Sequence, residues 1–112
     1  MSEQFDPDSG QPLPVTAENS IDVAVQVAEA MELHGYPSIA KDIEDRIRIG
    51  ERKYGKRLQS FNGRDALKDL YEELLDAANY SKQVQMEGID NGALFTQVAT
   101  LVIQVKGIHS SK

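Results

Sequence analysis

Four acidic side chains lie close together in the second half of the chain. Glu73 and Asp76 are three residues apart, Asp69 precedes Glu73 by four residues, and Glu72 follows Asp69 by three. Residues three and four apart on an α-helix are neighbours, so these carboxylates would share one face. Mg²⁺ and Mn²⁺ prefer such oxygen ligands, and water and substrate phosphate complete the coordination of Mg²⁺. The spacing therefore predicts a divalent-cation site.

The same spacing has a structural alternative, because an acidic stripe opposite an apolar stripe is typical of a solvated helix face. The apolar positions recur on the other side of the segment, at Leu67, Leu70, Tyr71, Leu74 and Ala78. Four neighbouring carboxylates repel one another, and a bound cation would relieve that repulsion. The residues alone leave both interpretations open.

A basic block precedes the acidic one. Residues 41–64 contain eight basic and four acidic residues, whereas residues 65–92 contain seven acidic and two basic residues. The two blocks would hold the two ends of a metal-bound phosphate chain, or they would simply attract each other across a pair of helices.

Two short motifs in these blocks carry a resemblance to a known family. Lys53-Tyr54-Gly55 lies in the basic block, and Glu72-Glu73-Leu74-Leu75-Asp76 lies in the acidic one. With these motifs, residues 46–86 resemble the MazG-like, all-α nucleoside triphosphate pyrophosphohydrolases, in the small form found in phages and actinobacteria. In that superfamily a Glu-Glu-x-x-Glu/Asp motif on a bundle helix binds magnesium, often downstream of a basic segment containing Lys-Tyr-Gly.

The resemblance implies an Mg²⁺- or Mn²⁺-dependent enzyme that converts an NTP or dNTP to the monophosphate and pyrophosphate. The metal ligands would be Asp69, Glu73 and Asp76, and Glu72 would be a further ligand or the base that takes the proton of a metal-bound water. The nucleotide-binding residues would be Lys53, Tyr54, Arg57 and Arg64. The basic side chains would neutralise phosphates, and Tyr54 would stack on the base.

Each substrate-binding residue also has a structural interpretation. Arg57, Arg64 and Lys53 would be salt-bridge partners of nearby acids, and Tyr54 would continue the apolar stripe of its helix. The superfamily usually adds a second pair, Glu-x-x-Asp, from the next helix. The predicted helix 93–107 contains no acidic residue, and the candidate that follows the first motif is Glu87-Gly88-Ile89-Asp90, where Gly88 should break a helix. The alternative function is a non-catalytic nucleotide-binding or helical protein-interaction module.

Apolar periodicity predicts the elements that position these residues: four helices near residues 18–34, 38–54, 65–87 and 93–107. The candidate N-caps are Thr16 or Ser20, then Ser38, then Asn62 or Asp65. Gly35 suits a left-handed C-cap after the first helix, and Gly55 ends the second. Residues 1–15 hold three of the four prolines and are predicted to be a flexible tail, with residues 16–112 forming one helical domain.

The segment 93–107 is apolar nearly all round, as is typical of a buried helix. Three helices from one chain would cover it only partly. We therefore expect an all-α, four-helix bundle-like fold that is completed by homo-oligomerisation.

Composition excludes several other classes. The chain of 112 residues has no cysteine, which excludes disulfides and thiolate sites. The net charge of −6 and the pI of about 4.8 argue against a nucleic-acid partner. The uncharged run 91–105 is too short to span a membrane, so a cytoplasmic protein is expected. Of the two histidines, His34 would end the first helix and His109 would lie in a disordered polar end.

Overall fold

The computed structural model describes residues 9–112, and this part of the chain is all-α. Its helices are α1 (Val23–Leu33), α2 (Pro37–Tyr54), α3 (Ala66–Met86) and α4 (Ala93–Ser110), and residues 9–112 contain no strand. The all-α character of the predicted fold is therefore confirmed. The chain divides into two compact units, which we call the N-terminal unit (up to Arg64) and the C-terminal unit (from Asp65).

In the N-terminal unit α1 packs against α2. The first helix begins later than predicted, because Asp22 rather than Thr16 or Ser20 caps it. Asp22 Oδ1 accepts a hydrogen bond from the Val25 N–H at 3.1 Å. Ser20 instead closes a turn, in which its Oγ accepts the Ala17 N–H at 2.9 Å. The Asp side chain satisfies an N–H that the first helical turn leaves unpaired.

The start of α2 also differs from the prediction. Its N-cap is Tyr36, which makes no side-chain cap hydrogen bond, and Pro37 is the first helical residue. Ser38 therefore lies inside the helix rather than at its cap. Proline suits this position because its fixed φ is helical and its missing N–H would be unpaired anyway. The left-handed Gly55, with φ of 73°, ends the helix as predicted.

Segments before α1 and after α2 are joined by hydrogen bonds. The Val15 N–H donates to the Asn62 carbonyl at 2.9 Å, and the Ser60 N–H donates to the Ile21 carbonyl at 2.8 Å. Asp22 and Gln59 form an isolated antiparallel bridge. Residues 1–8 of the predicted tail lie outside the described residues, whereas Val15 near its end takes part in these contacts.

In the C-terminal unit α3 packs against α4. Asp65 caps α3 as predicted, because its Oδ1 accepts the Lys68 N–H at 3.0 Å. The helix ends before Gly88, which has φ of 78°. The last helix continues to Ser110, three residues beyond the predicted end. His109 is therefore helical, and the expectation that it belongs to a disordered end was wrong.

Candidate functional site

The predicted metal ligands lie on α3 and form what we call the acidic stripe: Asp69, Glu72, Glu73 and Asp76. At about 100° per residue, these four positions fall within one third of the helix circumference. Glu73 and Asp76 are exposed, and Asp69 and Glu72 are half-buried. Within residues 9–112, Glu72, Glu73 and Asp76 make no ion pair. The stripe therefore concentrates negative charge, and the charges of these three residues are not balanced by an ion pair within residues 9–112.

The donor set of the stripe suits a hard cation, because every ligand is a carboxylate oxygen. Among the described residues, no three His, Asp or Glu side chains are grouped closely enough to hold a metal ion by themselves. The stripe therefore offers carboxylates on one helix face, and other oxygen atoms would have to complete an octahedral shell.

Arg57, a predicted phosphate ligand, is held between two carboxylates of the N-terminal unit. Its Nε donates to Asp22 Oδ2 at 2.6 Å, and its Nη2 donates to Glu44 Oε1 at 2.9 Å. Its Nη1 lies 2.7 Å from Glu44 Oε2, so the guanidinium meets Glu44 at two points. The hydrogen bond to Oε1 joins two charged groups, and such bonds are stronger than those between neutral groups. Arg57 thus ties the N-cap of α1 to the middle of α2.

The charges of this triad shift one another's pKa values. The hydrogen bond from Arg57 lowers the pKa of Asp22 and also that of Glu44. The hydrogen bonds to Glu44 and then Asp22 raise the pKa of Arg57 further above its ordinary value. All three groups are therefore charged at neutral pH.

The other predicted nucleotide-binding residues lie in the same unit around the Tyr54 ring. Lys53 Nζ lies 5.1 Å from the ring centroid, and the Arg64 guanidinium lies 5.7 Å from it. Arg64 also donates to the Pro12 carbonyl at 2.9 Å and to Ser9 Oγ at 3.2 Å. Tyr54 itself is half-buried, in agreement with its position on the apolar stripe of α2.

The second acidic pair proposed from sequence does not share a helix face. Glu87 is the C-cap of α3, and its Oε2 accepts a hydrogen bond from Gln83 at 2.9 Å. Asp90 lies beyond Gly88 and accepts the N–H groups of Gly92 and Leu94, at 2.9 and 3.2 Å. Asp90 therefore stabilises the N-terminus of α4, a structural role that its carboxylate is well suited to perform.

A second cluster of chemistry-bearing residues was not anticipated. Lys68, Tyr71, Glu72 and Leu75 of α3 line a groove together with Lys106 and His109 of α4. The signal in the sequence was the helical spacing within each set, three or four residues apart. Sequence alone does not give the register of α4 on α3, which brings the two sets together.

His109 also contacts the N-cap of α3, because its Nε2 lies 3.2 Å from Asp65 Oδ2. The pKa of Asp65 is lowered first by the hydrogen bond from the Lys68 N–H and then by His109. This contact fixes the end of α4 beside the beginning of α3.

Comparison with protein-family models, with curated proteins and with solved structures gives no match to this chain. Among the described helices, none combines the length and apolar character needed to cross a membrane.

Proposed function

We propose that the chain is an Mg²⁺- or Mn²⁺-dependent nucleoside triphosphate pyrophosphohydrolase, which converts an NTP or dNTP to the monophosphate and pyrophosphate. The acidic stripe carries this proposal. Its members Glu72, Glu73 and Asp76 lack ion-pair partners within residues 9–112, so a divalent cation would relieve their repulsion. The resemblance of residues 46–86 to MazG-like enzymes supports the reaction. The nucleotide pool that it would use is cytoplasmic, in the host cell if the protein is phage-encoded.

In this proposal Asp69, Glu73 and Asp76 would contribute carboxylate ligands to the cation, and Glu72 would accept the proton of the attacking water. The cation would act as a Lewis acid towards the phosphate oxygens and would lower the pKa of the water. The resemblance assigns nucleotide binding to Lys53, Arg64 and Tyr54, which belong to the N-terminal unit. Arg57 has a structural role in this proposal, because its guanidinium already donates hydrogen bonds to the carboxylates of Asp22 and Glu44.

The alternative is a non-catalytic nucleotide-binding or helical interaction module. One observation favours it: Asp90 is bonded to the N–H groups of Gly92 and Leu94, and α4 itself contains no acidic residue, so the helix that follows the acidic stripe supplies no second acidic pair. A protein with one acidic stripe would bind a metal–nucleotide complex more readily than it would hydrolyse it.

The decisive experiment incubates the protein with a panel of nucleoside triphosphates and Mg²⁺ or Mn²⁺, and measures pyrophosphate release. The variant is Glu73→Gln with Asp76→Asn, which keeps the shapes and removes both charges. We expect the parent to release pyrophosphate and the variant to lose the activity. The matched control is Glu29→Gln with Glu32→Gln, because these exposed acids have the same three-residue spacing on α1.

Thermal melting separates binding from catalysis. If the stripe binds a metal–nucleotide complex, a ligand at 100 times its Kd stabilises the parent by about 2.7 kcal/mol, and the variant loses this effect. Without ligand the two substitutions should change stability by no more than about 0.5 kcal/mol each, as is usual for surface sites. Binding without pyrophosphate release would favour the non-catalytic module. A parent that responds to neither metal nor nucleotide would contradict the enzyme and the nucleotide-binding module, and would leave the helical interaction module.

We further propose that copies of this chain associate into a homo-oligomer that completes a helical bundle. The support is the exposure of large apolar side chains on α4, including Leu94, Leu101 and Ile108. These three recur every seven residues and lie along one flank of the helix.

A further inference from the structure

The groove between α3 and α4 has the size and lining of a ligand site. Its volume is about 310 Å³, and the residues that line it are Lys68, Tyr71, Glu72, Leu75, Lys106 and His109. All six belong to the C-terminal unit. Pockets of this size, with an apolar floor and a few converging polar groups, are typical of small-molecule sites.

Two lysines, Lys68 and Lys106, contribute positive charge to the lining of the groove. Lys106 Nζ lies 5.3 Å from the centroid of the Tyr71 ring, and neither Lys68 nor Lys106 forms an ion pair within residues 9–112. Two lysine side chains thus line one groove together with Tyr71 and Leu75. An exposed cation–π contact is weaker than a charge-assisted hydrogen bond, so an arriving phosphate can draw Lys106 from the ring.

Glu72 connects this groove with the acidic stripe. At about 100° per residue, Glu72 lies between Lys68 and Leu75 on one side and Asp69 and Asp76 on the other. It is both a member of the acidic stripe and a lining residue of the groove. A ligand lying along this boundary would meet two ammonium groups on one side and a cation held by carboxylates on the other.

We propose that the α3–α4 groove binds the phosphate chain of the nucleotide, with the Lys68 and Lys106 ammonium groups in contact with phosphate oxygens. This inference rests on the proposed function for the identity of the ligand. It assigns to Lys68 and Lys106 the neutralising role that sequence assigned to Arg57. The guanidinium of Arg57 is already held by Asp22 and Glu44, whereas the two lysines face a groove beside Glu72.

The probe is inorganic tripolyphosphate, which presents the phosphate chain without a base or sugar. Its binding is measured by calorimetry in low-salt buffer containing Mg²⁺, for the parent and for Lys68→Gln with Lys106→Gln. We expect the variant to bind at least about tenfold more weakly, because it loses two charge-assisted contacts. Lys106→Arg keeps the charge and should retain most of the binding.

The matched control is Lys82→Gln. Lys82 also extends from α3 over an aromatic ring of α4, because its Nζ lies 4.8 Å from the Phe95 centroid. Lys82→Gln removes one positive charge from the same helix pair, as each of the two groove substitutions does, but Lys82 does not line the groove. Binding should therefore change by less than about twofold. Equal losses in Lys82→Gln and the groove variant would mean general electrostatic attraction and would overturn the proposal, as would a parent that does not bind the probe.

The design also separates this inference from the proposed enzyme. If tripolyphosphate binding depends on the two lysines but the protein hydrolyses no nucleotide, phosphate binding in the groove is supported and the proposed enzymatic activity is contradicted. If pyrophosphate release is unchanged in Lys68→Gln with Lys106→Gln, the proposed phosphate binding in the groove is contradicted and the proposed enzymatic activity is not.

Discussion

Arg57 bonds at once to two carboxylates that are distant from it in sequence. Asp22 precedes it by 35 residues and Glu44 by 13, so no local pattern in the sequence indicates the contacts. The basic block as a whole predicted either phosphate ligands or salt-bridge partners, and Arg57 is a salt-bridge partner. Its side chain and that of Asp22 are about one quarter exposed, so the triad is less screened by water than a surface pair.

We predict that this triad makes folding stability depend on acid. Asp22 and Glu44 have lowered pKa values in the folded protein, so their stabilisation is complete above the ordinary carboxyl range and is lost as the pH falls from about 4 through their folded values. Arg57→Met should lower stability at pH 7 and should flatten the decline on acidification. Urea unfolding from pH 7 down to pH 3 measures both effects.

The control for that measurement is Lys41→Met. Lys41 and Asp45 form an ion pair at 2.9 Å on the surface of α2, with both side chains more than half exposed. Water screens such a pair, so its loss should change the acid profile less than the loss of Arg57. Identical acid profiles for the parent and Arg57→Met would mean that the triad does not contribute.

The stripe and the groove differ in how far sequence could predict them. Spacing along one helix was sufficient to put Asp69, Glu73 and Asp76 on one face, because helix geometry fixes neighbours three and four residues apart. The groove needs the register between two helices. Lys106 and His109 meet Lys68 only because α4 runs back along α3 to its first turn, and no local spacing encodes that alignment.

At the scale of elements, sequence predicted the number and type of helices better than their ends. Four helices occur near the positions that periodicity predicted, because apolar residues recur at helical spacing along helices of 11 to 21 residues. The errors arose where several capping residues compete. Ser20 and Asp22 are both good caps, and the hydrogen bond from the Ser60 N–H to the Ile21 carbonyl favours a later start. Tertiary contacts of this kind have no signature in local propensity.

The turn between α3 and α4 provides a test at this scale. Gly92 has φ of 103°, where an L side chain is strained, and a Cβ there would lie 2.8 Å from Gln85 Nε2. We predict that Gly92→Ala destabilises the protein by about 1–2 kcal/mol, mainly through backbone strain, because the Gln85 side chain can move away. The measurement is the urea midpoint.

Gly107 is the matched control for that substitution. It lies inside α4 with a helical φ, and a Cβ there would meet nothing within 4 Å. Gly107→Ala should therefore stabilise the protein by about 0.5–1 kcal/mol, because alanine loses less conformational freedom in a helix. Equal effects of the two substitutions would contradict the assignment of strain to Gly92.

At the scale of the whole molecule, apolar burial is small within residues 9–112. The buried apolar residues there are Ala24, Ala40 and Val105, and no large side chain is fully buried. A chain of this size normally covers several large aliphatic or aromatic side chains. Exposed apolar groups occur on α4, where Leu101 is 46% exposed and Ile103 is 72% exposed. The apolar character of the segment 93–107 led us to expect that one chain would cover it only partly. Contact with a second copy of the chain would bury more of this apolar surface.

The oligomer is tested by placing a charge on the apolar flank of α4. Leu101→Asp should convert a dimer or larger assembly to a monomer that keeps its helical circular dichroism, because a desolvated carboxylate is incompatible with an apolar contact. Thr100→Asp adds the same charge one residue earlier, at an exposed position about 100° around the helix from Leu101. This variant should leave the assembly intact. Val105→Asp should instead unfold the C-terminal unit, since Val105 is only 7% exposed. Sedimentation velocity with far-ultraviolet circular dichroism distinguishes dissociation from unfolding. A parent protein that sediments as a monomer at high concentration would show that the exposed flank of α4 is not a contact between copies of this chain.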